Sequence, residues 1–268
     1  MADVVDAPRR LIQAMDTVFS VAIPGLPAPV MDELITAIAA DLEETEAELS
    51  VFRPQSEINR WSRGLIQPAE LSPGVRQVIA ACDDLERSTG GLFTARRDGG
   101  YDPTGYVKGW ALSRAADRLD AAGVTAYCVN GGGDIVARGT GPHGVPWRIG
   151  VAHPNRLGEL ATIVTAEPGD DRRLAVATSG TTERGQHVVN PISGARPQHG
   201  AVTVVGHDIA LVDAIATAAL AAGIGGQRLV RQFGLEAIGF DEDARPWWTP
   251  GMSKYALLPQ FAGSAAKS

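Results

Sequence analysis

Residues 125–139 read TAYCVNGGGDIVARG. Two short runs of β-type composition, TAYCV and DIVARG, flank a turn of Asn130 and three consecutive glycines. Asn-Gly and Gly-Gly between apolar runs are hairpin signals, because such turns need positive φ. A hairpin here commits the chain to antiparallel pairing. The same glycines could instead expose backbone N–H groups to a ligand, and the local sequence leaves both readings open.

Working outward, further β-like runs occur at 147–152 (WRIGVA), 161–165 (ATIVT), 174–178 (LAVAT), 201–205 (AVTVV) and 236–240 (EAIGF). Four helices interrupt them. One runs from Val30 to Leu49, with Met31, Leu34, Ile35, Ile38 and Leu42 at helical spacing. Its acidic run, DLEETEAE at 41–48, reads as the solvated face. Another begins at Ser72-Pro73, an N-cap followed by proline in the first turn. The third covers about Val107 to Ala122, with Gly123 as its stop. The fourth runs from Asp208 to Ala222. Strands and helices do not alternate regularly, which predicts an α+β fold with a mixed, largely antiparallel sheet and packed helices.

The chain has 268 residues, 44% hydrophobic and 21% charged, with a net charge of −7. This composition predicts an ordered globular protein, read as a single domain over 1–268 with a frayed tail at 262–268. The acidic balance disfavours a nucleic-acid partner. Cys82 and Cys128 sit in apolar runs and are read as buried free thiols. The five histidines lack metal-ligand spacing with one another. The N-terminus has no secretory pattern and no window suggests a membrane span, so a cytoplasmic location is expected. There is no GxxxxGK[ST] and no GxSxG. Gly139 to Gly144 fits GxGxxG, but the following Val145-Pro146-Trp147 opens no helix, so a dinucleotide fingerprint is not expected.

Four clusters carry chemistry. Asp102 to Gly109 (DPTGYVKG) places a carboxylate, a glycine turn and Lys108 at a helix start, as a phosphate site or as a simple cap. Asn130 to Asp134 is the glycine turn already described. Thr178-Ser179-Gly180 precedes a segment holding His187, which is a site or a structural histidine. Asp213 and Thr217, at i and i+4, share one face of an alanine-rich helix. A carboxylate on such a face needs a partner, either an arginine or a hard cation such as Mg²⁺, which takes oxygen ligands.

Taken in order, these clusters resemble the FAD:protein FMN transferases, the ApbE family. The resemblance rests on MDTVFSV (15–21), FRPQSEINRW (52–61), STGGLF (88–93), DPTGYVKGWALSRAADRL (102–119) and VNGGGDI (129–135). It continues through ATSGTTERGQHVVNPISGARP (177–197) and VTVVGHDIALVDAIATAAL (202–220). It implies an ApbE-like, T-fold-related core. It also implies Mg²⁺-dependent transfer of the FMN moiety of FAD to a Thr or Ser hydroxyl of an acceptor protein, releasing AMP. By resemblance the metal ligands are Asp213, Thr217 and the backbone carbonyl of Gly105. The FAD contacts are Met15, Phe52, Leu92, Phe93, Thr94, Asp102, Lys108 and Val188. Asp213 and His187 are the catalytic residues, His187 as general base for the acceptor hydroxyl. Two alternatives use the same site: an Mg²⁺-dependent FAD pyrophosphatase, or a non-catalytic FAD-binding protein. The chain departs from the family pattern at Asp16 (usually Gly), Phe52 (usually Tyr), Thr94 (usually Asp) and Asn190 (usually Asp).

Overall fold

A computed structural model describes residues 9–97, 99–156, 158–167, 169–181, 188–197, 200–241 and 243–256. The chain opens with a hairpin of β1 (Arg9–Ala14) and β2 (Thr17–Ala22), then α1 (Ala28–Leu49), α2 (Glu57–Ser62) and α3 (Pro73–Ser88). A two-residue ribbon, β3 (Arg96–Arg97) with β4 (Gly100–Tyr101), leads into α4 (Thr104–Ala121). Next come β5 (Tyr127–Gly131), β6 (Asp134–Arg138), β7 (Ile149–Ala152), β8 (Leu160–Val164), β9 (Leu174–Gly180) and β10 (Ala201–Gly206). Helices α5 (Ile209–Ala222) and α6 (Gly226–Gln232) precede β11 (Glu236–Phe240) and β12 (Pro246–Trp248).

Eight strands form one sheet in the order β1-β2-β5-β6-β9-β10-β11-β12, and its described pairings are antiparallel. The glycine turn closes the β5–β6 hairpin, with Gly131 opposite Asp134 and positive φ at Gly132 and Gly133. The hairpin and the α+β architecture are therefore as expected from the sequence. The first hairpin and the short helices α2 and α6 carry weaker patterns and were not anticipated.

Period-2 alternation divides the central strands between two cores. Ala175, Ala177, Val202, Val204 and Ala237 face the main core, shared with α1, α4 and α5. Leu174, Val176, Val205 and Ile238 face a smaller core, closed by the β7–β8 hairpin and Met252. All six residues of β10 are buried, as a central strand covered on both faces requires.

Three details differ from the sequence reading. Helix α4 starts at Thr104 rather than Val107, because the Asp102 carboxylate accepts the Thr104 N–H at 3.0 Å and its hydroxyl at 2.6 Å. The acidic run of α1 is only partly a solvated face. Asp41 pairs with Arg118 of α4, with one oxygen 2.6 Å from Nη2, and Thr45 is buried. Cys82 is buried, but Cys128 is only partly so; both are free. Burial pushes the Cys82 thiol up to about 12, which removes it as a nucleophile at neutral pH.

The stretch Ile209–Gln232 is long and apolar enough by composition to cross a membrane, and 67% of its apolar window is buried inside this fold. That is the behaviour of a core helix.

Candidate active site

Glycine at 109 determines how α4 and α5 meet. A β-carbon there would lie 2.7 Å from the Ile209 carbonyl oxygen and 2.9 Å from Asp213 Cβ, so only glycine permits the crossing. The close approach brings the Gly109 N–H to Asp213, donating to Oδ2 at 2.9 Å. In a regular helix that N–H would serve the Gly105 carbonyl four residues earlier. Donation to Asp213 competes for the proton and leaves the carbonyl acceptor capacity.

Lys108, the neighbour of Gly109, enters the same space. Its ammonium makes an ion pair with Asp134 and stands 4.0 Å from Asp213 Oδ1. These side chains are withdrawn from solvent, with exposures of 2% for Asp134, 7% for Asp213 and 16% for Lys108. Asp134 opens β6, and its Oδ1 accepts the Thr178 N–H from β9 at 3.0 Å. One turn along α5 from Asp213, the Thr217 hydroxyl lies 3.0 Å from the Ser179 hydroxyl. Gly105 packs beside Thr217 and Phe93.

Gly105, Lys108, Thr178, Ser179, Asp213 and Thr217 of this cluster line a cavity of about 1040 Å³. Each candidate residue that the structure describes lines it: Met15, Phe52, Leu92, Phe93, Thr94, Asp102, Gly105, Lys108, Val188, Asp213 and Thr217. His187 lies outside the described residues. Gly180 and Val188, which bracket the stretch containing it, both line the cavity.

Three residues absent from the sequence-derived set also belong here: Asp134, paired with Lys108, and Glu46 and His153, which line the cavity. Asp134 was visible only as the end of a glycine turn, and its role depends on β6 lying beside β9. Glu46 belongs to the acidic run of α1, yet it lines the cavity, accepts the Met15 N–H at 3.1 Å and pairs with Arg53 at 2.8 Å. His153, on the connection after β7, also lines the cavity; its Nδ1 accepts the Asn155 N–H at 3.2 Å and its ring packs on Phe240. Neither has a local signal, because tertiary packing alone brings them there.

Two substitutions in the family-like motifs have a visible local consequence. Met15 and Asp16 form the turn between β1 and β2 with φ of 54° each, a conformation glycine adopts freely and aspartate tolerates better than most residues. Asn190 donates from Nδ2 to the Ala221 carbonyl at the end of α5 (2.9 Å), which an ionised Asp could not do. Phe52, which lines the cavity, is 77% exposed, and the Thr94 hydroxyl accepts the Arg96 N–H at 3.0 Å.

The donor chemistry fits a hard cation. The Asp134 and Asp213 carboxylates are buried beside Lys108, and charges withdrawn from water this far need compensation by their surroundings. Among the described residues, no group of three or more His, Cys, Asp or Glu side chains converges. The available oxygens are a carboxylate, a hydroxyl and a backbone carbonyl, the incomplete set that Mg²⁺ completes with water and substrate phosphates. The apolar part of the cavity lining, with Phe52, Leu92, Phe93 and Val188, suits a flat ring system.

A model of the ApbE family matches residues 15–96 and 94–239. The chain belongs to the ApbE family. It is 32% identical over 182 residues to a FAD:protein FMN transferase of Vibrio cholerae, covering 62% of this chain and 53% of that protein. A FAD:protein FMN transferase of Rhodobacter capsulatus is 34% identical over 160 residues, covering 55% of this chain and 29% of that protein. The chain thus matches about half or less of the length of these curated relatives. The solved flavin transferase ApbE from Vibrio cholerae superposes with a TM-score of 0.76 at 22% identity, covering 93% of this chain and 100% of that one. The apo flavinyl transferase ApbE of Pseudomonas stutzeri gives 0.74 at 22%, covering 94% and 99%. Both likenesses confirm the ApbE fold.

Proposed function

We propose that this ApbE-family chain transfers the FMN moiety of FAD to a Thr or Ser hydroxyl of an acceptor protein, with Mg²⁺, and releases AMP. The observation that carries this is the cavity that Lys108, Asp213 and Thr217 line together with the apolar side chains Phe52, Leu92, Phe93 and Val188. Its volume suits a dinucleotide.

Bound Mg²⁺ would neutralise diphosphate charge, held by Asp213, Thr217 and the Gly105 carbonyl. Lys108 adds positive charge next to the phosphates, near the N-terminal end of α4, where backbone N–H groups also favour anions. Phe52, Leu92, Phe93 and Val188 bind the ring systems by burying apolar surface. His187 takes the proton of the acceptor hydroxyl as that oxygen attacks the phosphorus of the FMN half. The bond to the AMP half breaks, and AMP leaves.

The test is to incubate the protein with FAD and Mg²⁺, with and without an acceptor peptide of [ST]-G-A-[ST] type, and to quantify AMP. Transfer predicts AMP release that depends on the acceptor. Equal release without acceptor means hydrolysis, and flavin binding without AMP means a carrier.

A further inference from the structure

The turn between the first two strands is made of residues that do not favour it. Ala14, the last residue of β1, pairs with Thr17 of β2, and Met15 and Asp16 bridge them with φ of 54° each. A two-residue loop with positive φ at both positions is the type I′ form. Asn-Gly suits it and methionine does not, because a β-carbon at positive φ crowds the following carbonyl oxygen. The Met15 N–H lies beyond the strand ladder, which stops at the Ala14–Thr17 pair, so it needs another acceptor. Glu46, near the end of α1, supplies one: its Oε2 accepts the Met15 N–H at 3.1 Å. The other oxygen, Oε1, is held at 2.8 Å by Arg53 on the loop beyond α1, and the Glu46 side chain is 21% exposed. Met15, Glu46 and Phe52, the neighbour of Arg53, all line the large cavity.

We propose that Glu46 is a positioning residue. Its carboxylate holds the Met15–Asp16 turn at positive φ and ties that turn to the loop carrying Phe52, so two parts of the cavity lining are set before flavin binds. The role rests on the cavity being the FAD site, as set out under the proposed function. Without the carboxylate, the turn relaxes toward negative φ and Met15 leaves its place in the lining. Binding must then order both segments, which weakens affinity. Lys108, Asp213 and Thr217 stand on α4 and α5, so the loss falls on FAD binding and not on turnover.

Flavin fluorescence titration with FAD, without Mg²⁺, reads the affinity. AMP release with Mg²⁺ and an acceptor peptide of [ST]-G-A-[ST] type separates KM from kcat. Glu46→Ala should weaken FAD binding by about tenfold, raise KM for FAD to match and leave kcat within about threefold of wild type. Glu46→Gln keeps a side-chain oxygen for the Met15 N–H and should lose about threefold or less. Asp16→Gly gives the turn a residue that takes positive φ freely, so Glu46→Ala with Asp16→Gly should bind FAD within about threefold of wild type. A residue that only supported α1 would show no such rescue. Thermal unfolding checks that each variant is folded. Glu46→Met, which keeps the bulk of the side chain, takes the place of Glu46→Ala should alanine not be tolerated.

Unchanged FAD affinity in Glu46→Ala overturns the positioning role. So does a defect that Asp16→Gly fails to relieve, or a fall in kcat with KM unchanged. A wild-type protein that binds no FAD overturns the reading of the cavity itself, a separate outcome from the failure of Glu46.

Discussion

Helix α4 carries a charge cluster near each end, and both are built with β6 and the β9 region. Near its start, Lys108 meets Asp134, the first residue of β6, and Asp213 of α5. Near its end, Asp117 and Asp120 meet Arg138, the last residue of β6, and Arg173, which precedes β9. The second cluster balances two carboxylates with two guanidinium groups. Its side chains are 20–64% exposed, so solvent shares the cost of its charges. In the first, Asp134, Asp213 and Lys108 stand almost out of reach of water. Each opposes the helix dipole, with acids at the C-terminal end and a cation toward the N-terminal end. Arginines offset the opposition at one end. At the other, the lysine and the helix terminus add to a positive potential suited to phosphates. The cluster at the end of α4 is solvated, while the one near its start is buried and contributes Lys108 and Asp213 to the cavity.

The contrast breaks most readily at Asp213. Asp213→Asn keeps an acceptor for the Gly109 N–H but loses the charge, so it should lower Mg²⁺-dependent AMP release by more than about 100-fold, exceeding the loss for an outer residue. Titrating Mg²⁺ against rate checks this, and near-normal activity at low Mg²⁺ would remove Asp213 from the metal site. Next in size is Lys108→Met. It should weaken FAD binding by about 1.5–3 kcal/mol, the range for a charged hydrogen bond, as read by flavin fluorescence titration. Unchanged affinity would place the lysine outside the phosphate site. Thr217→Val removes only a neutral oxygen and should cost roughly tenfold in rate at limiting Mg²⁺.

The smallest effect belongs to the balanced cluster. Burial acts to raise the Asp120 pKa, but hydrogen bonds from Arg173 and Arg138 outweigh it and hold the carboxyl below its usual range. A depressed folded pKa stabilises the protein above the unfolded value and loses that contribution as pH falls through the folded one. Asp120→Asn should therefore cost about 1–2 kcal/mol at pH 7 after screening, and the gap to wild type should narrow as pH falls below about 4. Urea unfolding at both pH values measures it, and AMP release at neutral pH should be unchanged. An activity loss comparable to that of Lys108→Met would erase the distinction between the two ends.

How much of this was legible in the sequence differs along the chain. The Ser72 cap, the Asp208–Ala222 helix and the glycine hairpin follow from local chemistry, and they appear with nearly the expected bounds. Asp213 and Thr217 were legible because i, i+4 spacing places them on one helix face. Asp134 was not, because its significance comes from Lys108, which lies 26 positions earlier on another element. The acidic run of α1 was misread for a related reason. Local sequence cannot show that Arg114 and Arg118 of α4 come to lie against it, or that Glu46 turns toward the cavity. Side chains whose partners are local can be assigned from pattern; those whose partners arrive through sheet order or helix crossing require the fold.

Mass spectrometry of an acceptor peptide incubated with the protein, FAD and Mg²⁺ tests the central claim most directly. The account predicts that the peptide gains one FMN through a phosphoester on its Thr or Ser hydroxyl, that AMP forms in equal amount, and that both vanish with Asp213→Asn. An unmodified peptide alongside stoichiometric FMN and AMP would contradict it, and would make water rather than a protein hydroxyl the acceptor.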